Sequence, residues 1–208
     1  MKKLSFLAAL LLILATLFGC SAKVDVPEQQ ETQQGENQDH TAYTENNLPE
    51  TVTITMTLEG MQEERQGYLN KSKNGFGIYL IQGYYMDESD DEADKTDVVM
   101  DYDKEIYAEV TVLKEDTDLD ARVQEIKNNL QGFGEIMDLD PKDHFDPYFQ
   151  DAQKYIVASS TTEGSIIILM KRTQGHLLQY ELRMPMKEAA EGAGPALWAM
   201  LKTIQFYK

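Results

Sequence analysis

The strict alternation of the segment TVTITMTL, residues 51–58, constrains the fold of this chain most strongly. Every second residue from Val52 to Leu58 is apolar, and the residues between them are threonines. Successive side chains of a β-strand point to opposite faces of the sheet, so this pattern predicts a strand with one buried face. The chain must therefore build at least one sheet over a hydrophobic core.

Further segments carry strand patterns, and turn residues separate them. The polar run after Gly60 predicts a hairpin partner for the first strand that reaches Leu69, and Asn74-Gly75 predicts a turn before the next strand. Residues 87–97 are acidic and are interpreted as a loop. The other predicted strands cover residues 76–81, 106–113, 155–159, 165–172 and 176–184.

Two segments change to a helical period. The first has apolar residues spaced four, three and four positions apart, and Asp118 or Asp120 is suited to cap its N-terminus. A second helix is expected to start at or before Gly194, with Pro195 in its first turn, where a missing N–H costs nothing. The residues expected to face the core are Leu119, Val123, Ile126 and Leu130 in the first helix, and Leu197, Met200, Leu201 and Ile204 in the second.

This order of elements predicts an α+β domain over residues 51–208, with two main helices packed on an antiparallel sheet. The segments YAEVTVLKEDTDLDARVQEIKNNL, SIIILMKRTQGHLLQYELRM and GPALWAMLKTIQF carry a resemblance to the PsbP-like fold. That resemblance covers about half the chain and implies a sheet with helices on its faces. It also implies an assembly factor or extrinsic subunit more than an enzyme. A cystatin-like sheet wrapped around a helix is the alternative topology.

The N-terminus predicts where the protein is located. Lys2 and Lys3 precede an uncharged stretch, residues 4–18, which is shorter than the roughly 20 residues that a membrane span needs. Residues 1–19 are therefore interpreted as a signal peptide. The sequence Leu17-Phe18-Gly19-Cys20 resembles the lipobox of bacterial lipoproteins, which implies that Cys20, the only cysteine, carries the lipid anchor. The resemblance places the protein on the extracytoplasmic face of the bacterial cell membrane.

The stretch between the anchor and the first strand has the composition of a tether. Residues 20–50 are rich in glutamine and acidic residues and contain almost no aliphatic side chains. Such a segment cannot bury enough apolar surface to offset its chain entropy, so we expect it to be disordered.

Charge narrows the range of partners. The net charge is −17, which argues against nucleic acid because few basic side chains are present to neutralise phosphates. Residues 87–120 hold 15 acidic residues against three lysines. This acidic face, with Asp87, Asp90, Asp91 and Asp94 as candidate residues, could contact a cationic protein or peptide, or bind Ca²⁺ at an irregular site. It does not follow the EF-hand pattern, and a solvated loop is the simpler interpretation.

Two classes of function are consistent with the sequence. It contains no metalloprotease, nucleophile-elbow or P-loop motif, which favours a non-enzymatic binding or scaffolding lipoprotein without a cofactor. The alternative is an envelope hydrolase that uses paired carboxylates in a cleft, with Glu109 or Glu181 as a candidate member of the pair. Asp140, Asp143, His144 and Asp146 are interpreted as loop residues and not as a metal site.

Overall fold

The chain is described here by a computed structural model over residues 48–58, 60–88 and 94–207. About half of these residues lie in eleven strands, and all the strand pairs are antiparallel. The strands are β1 (Thr51–Leu58), β2 (Met61–Lys71), β3 (Phe76–Ile81), β4 (Tyr84–Asp87), β5 (Lys95–Met100), β6 (Tyr107–Leu113), β7 (Glu135–Asp138), β8 (Lys154–Ser160), β9 (Gly164–Thr173), β10 (His176–Met184) and β11 (Gln205–Phe206). The helices are α1 (Leu119–Asn129) and α2 (Glu188–Leu201), with short 3-10 helices at Pro141–Asp143 and Pro147–Phe149.

The strands form two sheets. The small sheet has the order β1-β2-β3-β11, and the large sheet has the order β4-β5-β6-β10-β9-β8-β7. The expectation of an α+β fold with helices packed on one sheet, PsbP-like or cystatin-like, is therefore wrong, because the domain is mostly β. The chain leaves the small sheet at the turn after β3, where Gly83 has a φ of +94° that favours glycine. It returns after α2, when Phe206 pairs with Phe76.

Helix α2 joins the two sheets. It contacts β1 and β3 of the small sheet and β10 of the large sheet, and its residues belong to the main hydrophobic core. The expected inward residues of this segment are all buried: Leu197, Met200, Leu201 and Ile204. A helix buried against two sheets needs apolar residues on more than one side, which is why α2 is alanine-rich and carries so little charge along its C-terminal half.

Helix α1 covers a smaller, second core on the opposite face of the large sheet. Val123 and Ile126 pack there against Ile166 and Ile168 of β9. Asp118 caps the helix, since its side chain accepts hydrogen bonds from the N–H groups of the second and third residues that follow it. The predicted stripe and cap of this helix are confirmed.

The individual strands were predicted better than their assembly. The bounds of β1, β3 and β10 agree with the prediction, and β2 forms the expected hairpin with β1. The structure corrects both bounds of the supposed acidic loop, because Asp87 lies in β4 and β5 already starts at Lys95. Pro195 lies inside α2 and not in its first turn.

Candidate functional site

A groove of about 900 Å³ follows one side of α2. Its floor is the face of α2 that carries Ala190, Gly194 and Trp198. The edge of β1 forms one wall, and the ends of β8 and β9 form the other. Residues that line these walls include Thr55, Met56 and Thr57 on β1, and Ser159, Ser160, Ser165 and Ile167 on β8 and β9.

Small side chains line the groove where α2 meets its neighbours. Ala190 and Gly194 lie one helical turn apart on the lining face. A methyl group added at Gly194 would come within 3.3 Å of the Cε atom of Met184, so the helix is already close to that strand end. Larger residues at these positions would fill the groove. Its volume falls in the range that small-ligand and peptide sites usually have.

Aromatic and thioether side chains gather at the mouth of the groove. Phe145 is 66% exposed and Met186 is 61% exposed, and both line it. Trp198, the only tryptophan of the chain, lines the groove from α2. Large apolar side chains exposed beside a concave apolar surface are typical of binding sites, because their exposure to water is otherwise unfavourable.

The two lysines of the groove are already paired. Lys202 contacts Asp146 at 2.8 Å, and Lys187 contacts Asp103 at 2.9 Å and Glu105 at 2.7 Å. The hydrogen bond from Lys187 holds the pKa of Asp103 below its ordinary value. By contrast, Glu191 lines the groove, and no ion pair of its side chain is found within the described part of the chain.

His144 lies buried behind the end of the groove. It is 2% exposed, and its ring contacts four aromatic rings, those of Phe145, Phe149, Tyr155 and Trp198. Its Nδ1 atom lies 3.1 Å from the backbone nitrogen of Asp146 and 3.3 Å from the carbonyl oxygen of the same residue, whereas Nε2 is buried with no hydrogen-bond partner in the part of the chain that the structure describes. Burial lowers the pKa of His144, although Asp146 partly opposes this shift.

Two acidic side chains stabilise the loop that carries His144 through hydrogen bonds to its backbone. The side chain of Asp140 accepts a hydrogen bond from the N–H of Lys142, and that of Asp146 accepts one from the N–H of Tyr148. Each carboxylate thereby caps a short 3-10 helix that begins with proline. These contacts agree with the interpretation of the segment as a loop. No group of three or more metal-binding side chains was found in the residues that the structure describes.

The predicted site residues fall into two groups. Cys20, Asp90 and Asp91 lie outside the described residues. Asp94 is exposed in the turn before β5, and its carbonyl accepts a hydrogen bond from the N–H of Val112 at 3.0 Å. Asp87 ends β4 and is directly opposite Asp97 of β5.

Asp87 belongs to a row of four carboxylates across the large sheet. Asp97 is opposite Glu109 of β6, and Glu109 is opposite Glu181 of β10. Residues in register on neighbouring strands share a face of the sheet. The two glutamates thus lie side by side, as the hydrolase alternative requires, but each contacts a cation: Glu109 to Lys95 at 3.4 Å, and Glu181 to Arg183 at 2.8 Å. Neither lines the groove.

The pKa of Glu109 is raised above 4.5, mainly by burial. Lys95 opposes this shift and Glu181 adds to it.

Sequence reasoning missed Glu88 as a fixed residue of the acidic segment. Its carboxylate accepts hydrogen bonds from Ser72 Oγ at 2.6 Å, from Thr96 Oγ1 at 2.9 Å and from the N–H of Lys73 at 3.2 Å. These contacts tie the end of β4 to the turn between β2 and β3. This carboxylate therefore has a structural role, and no sequence signal distinguishes it from its acidic neighbours.

The groove was also missed, because its walls come from segments far apart in sequence. The only local signal was the pair of small residues on one face of α2, which also fits simple close packing.

Fold and site together define a mostly β domain in which two antiparallel sheets enclose a helix with an apolar groove beside it. Residues 48–205 match the family model described as "Domain of unknown function (DUF8580)", and the chain belongs to that family. No curated protein matches the chain. Among the described residues, neither helix has the length and apolar character needed to cross a membrane.

Proposed function

We propose that this protein is a lipid-anchored binding module of the bacterial envelope and that the groove beside α2 holds its ligand. The lipobox-like sequence that ends at Cys20 supports the anchor. The groove carries the binding proposal, because it combines an apolar floor with exposed Phe145 and Met186 at its mouth. The acidic face of residues 87–120 is a second contact surface in this proposal, suited to a cationic partner.

Trp198 provides a direct test. Because it is the only tryptophan and lines the groove, 5-fluorotryptophan incorporation gives a single ¹⁹F signal from the site. The full chain, reconstituted in lipid nanodiscs, is titrated with octanoate and with short water-soluble peptides that contain valine. A saturable shift of the signal is expected for at least one of these probes. No saturable shift with any of them would contradict the proposal.

A matched pair of variants locates the binding. Ser165 lines the groove from β9, where an aromatic side chain is compatible with the strand. Ser165→Phe should fill the groove and weaken binding at least about ten-fold, whereas Ser165→Thr adds only one methyl group and should bind as the native chain does. Equal binding by both variants would place the ligand elsewhere.

A hydrolase is the second candidate function. Two observations favour it. Glu109 and Glu181 are in register on neighbouring strands. The pKa of Glu109 is raised, and a general acid needs a carboxyl group with a raised pKa. It is disfavoured by the two cations that already contact these carboxylates. Turnover of 4-nitrophenyl glycosides or esters that is lost in Glu109→Gln, with the fold intact, would favour this candidate.

A further inference from the structure

Within the described residues, no strand pairs with the outer edge of β1. Strand β1 is the end strand of the small sheet, and in the described part of the chain it pairs only with β2. The N–H of Leu69 donates to the carbonyl of the opposite residue, Glu50, at 2.9 Å. In an antiparallel pair such bonded positions alternate with non-bonded ones, so the even-numbered residues of β1 face β2. The backbone groups directed outward belong to Thr51, Thr53, Thr55 and Thr57.

The other sheet edges are protected, whereas β1 has no such protection in the part of the chain that the structure describes. Strand β11 has two residues, and β4 and β7 have four residues each with at least one acidic side chain. Strand β1 has eight residues, none of them charged and none of them proline, and its pairing with β2 runs from end to end without a bulge. Natural proteins usually shorten, charge or cover an edge to prevent another chain from pairing with it. A long, regular and neutral edge is thus suited to strand addition.

The open edge lies beside the groove. Met56 is buried against α2, and the outward-facing Thr55 and Thr57 line the groove together with it. A strand added to β1 would lie about 4.8 Å away, and alternate side chains of that strand would point to the same side as Met56. Those side chains would enter the groove above Ala190 and Gly194. An extended segment with an apolar residue at every second position fits this arrangement.

Charge indicates the kind of polypeptide. Lys187 and Lys202 are neutralised by ion pairs at the groove. Glu191 on the rim and Glu64, which is opposite Thr55 on β2, have no ion-pair partner among the described residues. Together with the net charge of −17, this favours a segment flanked by basic residues. The same net charge opposes pairing of two copies of this chain.

We infer that β1 is the docking strand for an extended segment of a partner polypeptide that has alternating apolar residues and basic flanks. The segment adds to the small sheet through the backbone of Thr51 to Thr57 and inserts its apolar side chains into the groove. This inference rests on the proposed function and names its class of partner.

The test uses the peptide KKVTVTVKK and the ¹⁵N-labelled full chain in lipid nanodiscs. Binding through β1 should slow the hydrogen exchange of the Thr53, Thr55 and Thr57 amides at least about ten-fold, because they gain hydrogen bonds. The amides of Ile54 and Met56 already bond to β2 and should change little. The peptide with N-methyl groups at alternate residues cannot pair and should not bind. The acidic peptide EEVTVTVEE should bind at least about ten-fold more weakly at low salt.

Two substitutions at one position provide the protein control. The N–H of Thr55 points outward, so Thr55→Pro removes an edge donor without breaking a bond to β2. It should weaken peptide binding about five-fold or more, as the loss of one hydrogen bond and the added ring imply. Thr55→Val keeps the N–H and should bind within about two-fold of the native chain. If Thr55→Pro does not fold, the N-methylated peptide decides the question.

The outcomes separate the inference from the proposed function. A shift of the Trp198 ¹⁹F signal without slower exchange at the three threonines would overturn the inference and leave the groove as the binding site. Absence of any Trp198 response, to this peptide and to the other probes, would contradict both. A dimer that forms without peptide and is lost in Thr55→Pro would assign the edge to a second copy of the chain and overturn the inference.

Discussion

The imidazole of His144 lies edge-on to the indole of Trp198, with ring centroids 4.7 Å apart and planes at 81°. Trp198 lines the groove, and His144 supports it from the loop that closes one end. The contact therefore connects a titratable group to the floor of the proposed binding site. Protonation of His144 would place a charge among four aromatic rings, where water does not reach it.

We predict that the free energy of unfolding falls in mild acid because of His144. Because its folded-state pKa is lowered below 6.5, the unfolded chain takes up a proton first as the pH falls. The stabilisation is complete above pH 6.5, decreases as the pH falls below that value and levels off below the folded-state pKa. Each unit of pKa difference corresponds to about 1.4 kcal/mol. Chemical denaturation of the native chain between pH 7.5 and 5 measures this loss.

The comparison of two histidine variants isolates the effect. His144→Phe should remove this part of the pH dependence, whereas His176→Phe, at an exposed position, should retain it. An unchanged pH dependence in His144→Phe would show that this ring is not the responsible group.

Glu109 is predicted to act in the opposite direction. Burial raises its folded-state pKa above 4.5, so its contribution to stability is largest below pH 4.5 and declines as the pH rises through the folded-state value. Glu109→Gln should therefore flatten the pH dependence of the free energy of unfolding above pH 4.5. Glu125→Gln, at an exposed position, is the matched control substitution. A Glu109→Gln profile that stays as steep as the native one would refute this prediction.

Local patterns in the sequence predicted several elements, because each pattern reports on its own segment, but β4, β5 and β7 were not predicted as strands. The alternation from Val52 to Leu58 identified β1, and the spacing of Val123 and Ile126 identified the buried stripe of α1. In both cases one face of a single element meets the core, and the period of the element is visible in the sequence.

The assembly could not be predicted in the same way. The apolar run of β3 predicts a buried strand but not which sheet it joins, and β5 carries no alternation that would have predicted it as a strand. That choice depends on the turn at Gly83 and on the pairing of Phe206 with Phe76, two residues that are far apart in sequence. The groove depends on the same long-range arrangement, because β1, β9 and α2 must first come together.

Pro195 was assigned to the first turn of α2 because proline is unfavourable inside a helix, yet it lies there and lines the groove. It cannot donate a hydrogen bond to the carbonyl of Glu191, one turn earlier. Pro195→Ala would restore that bond and should raise the free energy of unfolding by up to about 3 kcal/mol. Denaturant unfolding measures the change.

Gly192 provides a reference within the same helix. It is exposed, and an added methyl group would meet no atom within 4 Å. Gly192→Ala should therefore stabilise by about 1 kcal/mol, the ordinary difference in helix propensity. If Pro195→Ala destabilises the protein while Gly192→Ala stabilises it, the backbone around Pro195 is adapted to the proline.

Specific binding of a cation by the acidic segment requires several of its loop carboxylates to contact the same ion. If Ca²⁺ binds there, Ca²⁺ at about one hundred times its dissociation constant should add about 2.7 kcal/mol of stability. The triple substitution of Asp90, Asp91 and Asp94 by Asn should abolish that gain. Asp87 is left unchanged because it belongs to β4. Thermal unfolding in Ca²⁺, Mn²⁺ and salt-matched buffers measures this gain in stability. An equal rise of the unfolding midpoint in all salts would show that the ions only screen the repulsion between the carboxylates.

Cys20 is predicted to carry a diacylglyceryl group after cleavage behind Gly19. Each methylene of an acyl chain contributes about 0.8 kcal/mol to membrane binding, so two chains hold the protein stably at the surface where one would not. Mass spectrometry of the N-terminal peptide from the membrane-bound chain should show the lipid on the cysteine sulfur. Cys20→Ala should remove it, and Ser21→Ala, next in sequence, should not. An unmodified thiol at residue 20 of the native chain would contradict the lipoprotein assignment and would leave the binding groove without its anchor.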